Sequence, residues 1–125
     1  MGRKTPPFEH YPKWTQAKFW GFLRSALRRA SDRFPPKQEA KKLHRRPYKG
    51  SNTRQKWEYQ CVQCKGWFKD KEVEVDHIIP TGTLRTFEDL PEFCRRLFCG
   101  VESFQLLCKP CHKKKTAQER LLRSV

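Results

Sequence analysis

The most chemically specific residues in this 125-residue chain are four cysteines in two identical spacings, Cys61-Val62-Gln63-Cys64 and Cys108-Lys109-Pro110-Cys111. Two such pairs supply the four thiolates that a tetrahedral structural Zn2+ takes. Redox use is disfavoured, because no thioredoxin-like βαβ pattern accompanies them. Zinc also joins segments as distant as Cys64 and Cys108 in a chain whose charge-rich front leaves little core. Cys94 and Cys99 fall in an apolar stretch and read as packing residues. A second constellation is Asp76-His77 together with His112, which directly follows Cys111. Closing the zinc site would carry Asp76 beside His112, giving a carboxylate and an imidazole to a second divalent metal, with His77 next to them as a base. Neighbours on a regular strand point to opposite faces, so Asp76 and His77 need a local bend or serve different sides of one small site.

Several elements must position these groups. Trp57–Gln60 reads as a short strand leading into the first cysteine pair, with Gly66 supplying the positive φ of a zinc knuckle. Val73 and Val75 alternate with Glu72, Glu74 and Asp76, a strand ended by Pro80. Residues 81 to 103 are a packed insertion in which Phe87, Leu90, Phe93, Cys94, Leu97 and Phe98 have helical spacing, with Pro91 dividing it into two short helices or delaying one. Phe104, Leu106 and Leu107 suggest a second short strand, and Pro110 fits the first turn of a last helix reaching about Leu122. At the front, residues 1 to 13 carry three prolines and read as an extended lead-in of low order. Thr15 is the expected N-cap of an amphipathic helix with Phe19, Phe22, Leu23, Ala26, Leu27, Ala30 and Phe34 as its apolar stripe, Lys18, Arg24, Arg28 and Ser31 towards its polar side, and Pro35-Pro36 as its stop. Residues 37 to 56 begin as a second helix and run into a loop at Tyr48–Asn52. The expected fold is α+β, with a basic helical region over 1–56 and a metal-binding domain over 57–125.

Composition points to a polyanionic partner. Lys and Arg number 28 against 13 acids, a net charge of +15. Residues 1 to 50 hold 14 basic and 3 acidic side chains, while residues 51 to 125 hold 14 and 10. Hydrophobic residues are 36%, too few for a membrane protein. The start, Met1-Gly2-Arg3-Lys4-Thr5-Pro6, lacks the apolar core of a signal peptide, so a cytoplasmic location is expected, where thiols stay reduced.

The run Val75-Asp76-His77-Ile78-Ile79-Pro80, followed by Phe104-Gln105-Leu106-Leu107-Cys108-Lys109-Pro110-Cys111-His112 and Lys113-Lys114-Lys115-Thr116, resembles the HNH nucleases with a ββα-metal fold. The resemblance covers about residues 57 to 120, and the cysteine pairs look like those of the zinc-bearing branch, common in small phage-encoded proteins. It implies that His77 is the general base activating water, and that Asp76 and His112 hold one catalytic divalent ion such as Mg2+, Mn2+ or Ni2+. It also implies a phosphodiester of DNA as substrate, with phage DNA processing in the host cytoplasm, alongside a phage protein partner, as the setting. Lys113, Lys114 and Lys115 are then expected to contact phosphates flanking the cut, and Arg24, Arg28, Arg45 and Arg46 to extend that footprint. One departure is Ser103, which stands where the family has the Asn that supports the base histidine's loop. Its hydroxyl can make one of the hydrogen bonds of an amide, unless Glu102 or Gln105 reaches instead.

Two other readings compete with a metal-dependent endonuclease. One is a catalytically inert zinc module that binds DNA or a packaging or replication partner. The other is a zinc-ribbon-like RNA-binding factor, which explains the charge but leaves Asp76, His77 and His112 idle.

Overall fold

The structure, a computed structural model, describes residues 6–123. Met1–Thr5, part of the expected lead-in, lie outside the described residues. The protein is a small mixed α/β chain in two compact units. The first unit is built from the residues up to Phe34 together with Ile79–Cys99, and the second from Pro35–Ile78 together with the residues from Gly100 onward. Residues 35 to 56, grouped with the front in the sequence reading, therefore pack with the cysteine-bearing part, while 79 to 99 pack with the front.

In the first unit, β1 (Pro7–Phe8) and β2 (Tyr11–Thr15) pair antiparallel and lead directly into α1 (Gln16–Ser31). The lead-in is thus ordered from Pro6, whose carbonyl accepts the Gln16 N–H at 2.8 Å, and Phe8 is buried against Phe19 in a stacked pair. Thr15 caps α1 as expected, its Oγ1 accepting the Lys18 N–H at 3.1 Å. The buried stripe differs from the expected one. Trp20 is 5% exposed among Leu84, Phe93 and Leu97, with Leu23 and Leu27 beside it, whereas Phe22 is 55% exposed. Residues 20, 23, 24, 27 and 31 share one helical face, so Arg24 is half-buried and Ser31 is buried, its hydroxyl donating to the Arg28 carbonyl. The two arginines meet the insertion: Arg24 donates to the Leu84 carbonyl at 3.0 Å and Arg28 to Thr81 Oγ1 at 3.3 Å. Within the insertion, a 3-10 turn at Phe87–Asp89 precedes α3 (Leu90–Leu97), with Pro91 in its first turn. α1 itself ends before the prolines.

Those prolines open α2 (Pro35–Leu43) in the second unit, where a missing N–H costs nothing in a first helical turn. β3 (Arg45–Pro47), β4 (Trp57–Gln60) and β5 (Trp67–Phe68) then form an antiparallel sheet in that order. A second antiparallel pair joins β6 (Val73–His77) to β7 (Phe104–Cys108), and α4 (Lys109–Arg123) follows β7 with no intervening residue. The register pairs Val73 with Cys108, Val75 with Leu106 and Asp76 with Gln105. Val73 and Leu106 pack on Tyr59 and Phe68, while Glu74 and Asp76, one residue out of phase, lie on the opposite face, which α4 contacts. The positive φ of the knuckle falls on Lys65, at 64°, and not on Gly66. Gly66 is needed for space instead, since a Cβ there would come within 2.9 Å of the Phe68 ring.

Among the described residues no helix is long and apolar enough to cross a membrane. Replacing Trp20 with Ala is expected to destabilise the first unit by about 3–5 kcal/mol, and Phe22→Ala by no more than about 0.5 kcal/mol. Calorimetric unfolding of the two variants checks this, and equal losses would restore the stripe drawn through Phe22.

Candidate metal centres

The four cysteines of the two pairs converge. β4 delivers Cys61 from one side, β7 ends at Cys108, and the first turn of α4 presents Cys111, while the Lys65 turn brings Cys64 round to meet them. All four sulfurs lie within 4.8 Å of one another, and Cys64 Sγ is 3.8 Å from Cys108 Sγ. A tetrahedral zinc with Zn–S of about 2.3 Å requires sulfurs about 3.8 Å apart, so the donor set fits that ion in type, number and spacing. The electrostatics agree. Burial pushes the Cys61 thiol up, but hydrogen bonds from the backbone at Cys108, Cys64 and Gln63 outweigh it and bring it down to about 6. Burial raises Cys108, and Cys111 is pushed up to about 12, first by the Cys108 side chain and then by burial and the Cys61 sulfur. Cys108 and Cys111 thus resist ionising beside Cys61, a conflict that a dication removes. Cys61 and Cys108 are buried, and Val62, Leu107 and Phe68 pack round them.

Across β6 and the same end of α4 lies a second polar cluster. Asp76 Oδ1 is 3.4 Å from His112 Nε2, and the other imidazole nitrogen, Nδ1, is 3.0 Å from Glu74 Oε2. With its proton on Nδ1, His112 donates to Glu74 and keeps the Nε2 lone pair on the Asp76 side, the carboxylate–histidine arrangement that orients a metal-binding imidazole. Asp76 Oδ2 accepts from Gln105 Nε2 at 3.1 Å and pairs with Lys115 Nζ at 2.7 Å. Lys115 also reaches Glu119 Oε1 at 2.5 Å and the His77 carbonyl at 2.9 Å. Burial alone would lower its pKa, but the bonds to Asp76 and Glu119 prevail and hold it above the ordinary lysine value. An open groove of about 520 Å3 is lined by residues of both clusters, including Cys64, Cys111, Gln105, Lys114 and Lys115.

The predicted site residues are not all used as expected. His77 is half-buried at the last pair of the β6–β7 ladder, its ring 4.9 Å from that of Phe104. The ladder is regular to that point, so His77 and Asp76 leave the strand on opposite faces and can reach one small site only from different sides at the strand end. Ser103 holds the adjoining backbone, its carbonyl accepting the Ile78 N–H at 3.0 Å, while the amide of Gln105 goes to Asp76. Lys113 and Lys114 are exposed, but Lys115 turns inward. Arg45 stacks on Trp57 and Arg46 on Trp67, and Arg46 also pairs with Glu58 at 2.5 Å. Arg24 and Arg28 belong to the first unit and brace its insertion. Sequence reasoning missed Glu74, Lys115 and Glu119 as parts of the cluster. The signals were present: Glu74 lies two residues before Asp76 on the strand, and Lys115 and Glu119 follow His112 by three and seven on the helix.

A probable HNH endonuclease of Lactococcus phage SK1 is 40% identical over 65 residues, covering 52% of this chain and 62% of that relative. The chain therefore spans less than two thirds of the relative's length. No family model matches the chain. No solved structure matches it either.

The cysteine geometry predicts one zinc per chain. Cys108→Ser is expected to abolish zinc retention and lower the thermal transition of the second unit, and Cys94→Ser to leave zinc unchanged. Elemental analysis after gel filtration checks this; zinc retained without Cys108 would refute the four-sulfur site.

Proposed function

We propose that the chain is a metal-dependent DNA endonuclease of the HNH type, with β6, β7 and α4 as its ββα-metal element and the four-cysteine zinc as its structural clasp. The observation that carries this reading is the 3.4 Å meeting of Asp76 Oδ1 and His112 Nε2 next to a strand-end histidine, with Glu74 on the far imidazole nitrogen. The likeness to the phage relative supports it. Asp76 and His112 would hold one Mg2+, Mn2+ or Ni2+. Such an ion, when bound, stabilises negative charge on the phosphorane and on the leaving 3′ oxygen.

The chain's own groups do the rest. The imidazole of His77 takes a proton from the attacking water near neutral pH, a contribution of about 10²- to 10⁴-fold. The ring contact with Phe104 limits where that imidazole can turn, and the Ser103 carbonyl fixes the peptide that follows it. Glu74 keeps His112 in the tautomer that ligation needs. Lys113 and Lys114, exposed on the first turns of α4, hold phosphates flanking the cut, and Arg45 and Arg46 hold the strand further along. The guanidinium groups of Arg24 and Arg28 have donors left after bracing the insertion, so the basic front adds to the electrostatic hold. The setting we propose is phage DNA processing in the host cytoplasm.

The test is zinc-loaded full-length protein on supercoiled plasmid with Mg2+, Mn2+ or Ni2+. Nicking is expected from the wild type and should fall about 10²- to 10⁴-fold in His77→Ala. Glu74→Ala should weaken divalent-ion binding by about 10- to 100-fold. Equal residual cleavage by wild type and His77→Ala, with zinc intact, would sink the enzymatic reading and favour an inert zinc module that binds DNA.

A further inference from the structure

The Lys115 ammonium lies among three oxygens: it donates to the His77 carbonyl and forms ion pairs with Asp76 Oδ2 and Glu119 Oε1. Its neighbours Lys113 and Lys114 are exposed, so this lysine is not part of a solvated basic run. Two consequences follow for the groups around it. Asp76 has one oxygen already occupied by Lys115 and Gln105, which leaves Oδ1, the oxygen facing His112, for any further cation. The peptide linking His77 to Ile78 is gripped at both ends, its carbonyl by Lys115 and its N–H by the Ser103 carbonyl.

We infer that Lys115 is a positioning residue, an internal cation that presents Asp76 to the divalent ion through a single oxygen and locks the backbone carrying His77. The inference rests on the nuclease reading above. It has an electrostatic corollary. A fixed positive charge sharing a carboxylate with a dication repels that dication, so the chain holds its ion less tightly than Asp76 and His112 would allow without it. Metal affinity is given up for geometry.

The experiment is calorimetric titration of Mn2+ into the zinc-loaded full chain, paired with plasmid nicking at saturating Mn2+. Lys115→Met and Lys115→Gln are expected to bind Mn2+ roughly three- to tenfold more tightly, because a cation is removed and two carboxylates lose their partner. In the same variants the turnover at saturation is expected to fall about tenfold or more, since the geometry is lost. Arg120→Gln, which removes an exposed cation from the same helix, should change neither by more than about twofold. A merely structural lysine would lower affinity and turnover together, and that parallel loss, or an unchanged Mn2+ affinity with zinc content and unfolding temperature preserved, overturns the inference. If both neutral variants lose zinc, the wild type still decides by nuclear magnetic resonance of its lysine ammonium groups. Added Mg2+ must shift the Lys115 signal, and an unmoved signal overturns the inference. Mn2+ binding that survives Asp76→Ala unchanged overturns both this inference and the nuclease reading, whereas loss of binding there with no effect at Lys115 overturns the inference alone.

Discussion

The passage from β7 into α4 without a loop is the constraint on which both clusters depend. Cys108 closes a strand held in register by five pairs, and the helix begins at the next residue, so the orientation of its first turn is inherited from the ladder. Consecutive residues on a helix are about 100° apart, which lets Cys111 turn its sulfur to the knuckle while His112 turns its imidazole to the acids of β6. A flexible linker at this point would decouple the two. Because there is none, the sulfur cluster and the Asp76–His112 pair are set by one rigid joint.

Charge is arranged differently at the joint than over the rest of the chain. The overall count is +15, yet the cluster beside α4 is acidic in composition, with Glu74, Asp76 and Glu119 answered by Lys115 and by a histidine. Each acid there has a specific partner. Elsewhere several cations also make structural contacts: Arg45 and Arg46 lie over tryptophan rings, and Arg24 and Arg28 hydrogen-bond to the insertion. A basic composition thus states how much charge is available to a polyanion and does not say which side chains are free to meet it.

Much of the second unit was legible in the sequence because its signals are local. Alternation at Val73 and Val75, a proline one residue into α4, and paired cysteine spacings each depend on near neighbours, and the strands, the helix and the sulfur cluster stand where those signals put them. What escaped depends on contacts between distant residues. Apolar recurrence at spacings of three and four grouped Phe22 with Phe19, while burial of Trp20 is decided by Leu84, Phe93 and Leu97, which lie far along the chain. The short strand β3 has a charged sequence and exists because β4 pairs with it. Lys115 looked like one of three equivalent lysines until the helix phase placed it opposite Asp76.

The two units also share the chain in alternation, and this bears on how the molecule is made. Synthesis proceeds from the N-terminus, so α1 is complete when the residues that bury its tryptophan have yet to be joined to the chain. Trp20 has its three buried partners, Leu84, Phe93 and Leu97, only once residue 97 has been added, and Cys61 and Cys64 meet Cys108 and Cys111 later still. Neither core can close before residue 97 is added, and the nascent protein therefore carries an uncovered aromatic face, and later two unpartnered thiols, while the chain is still being made.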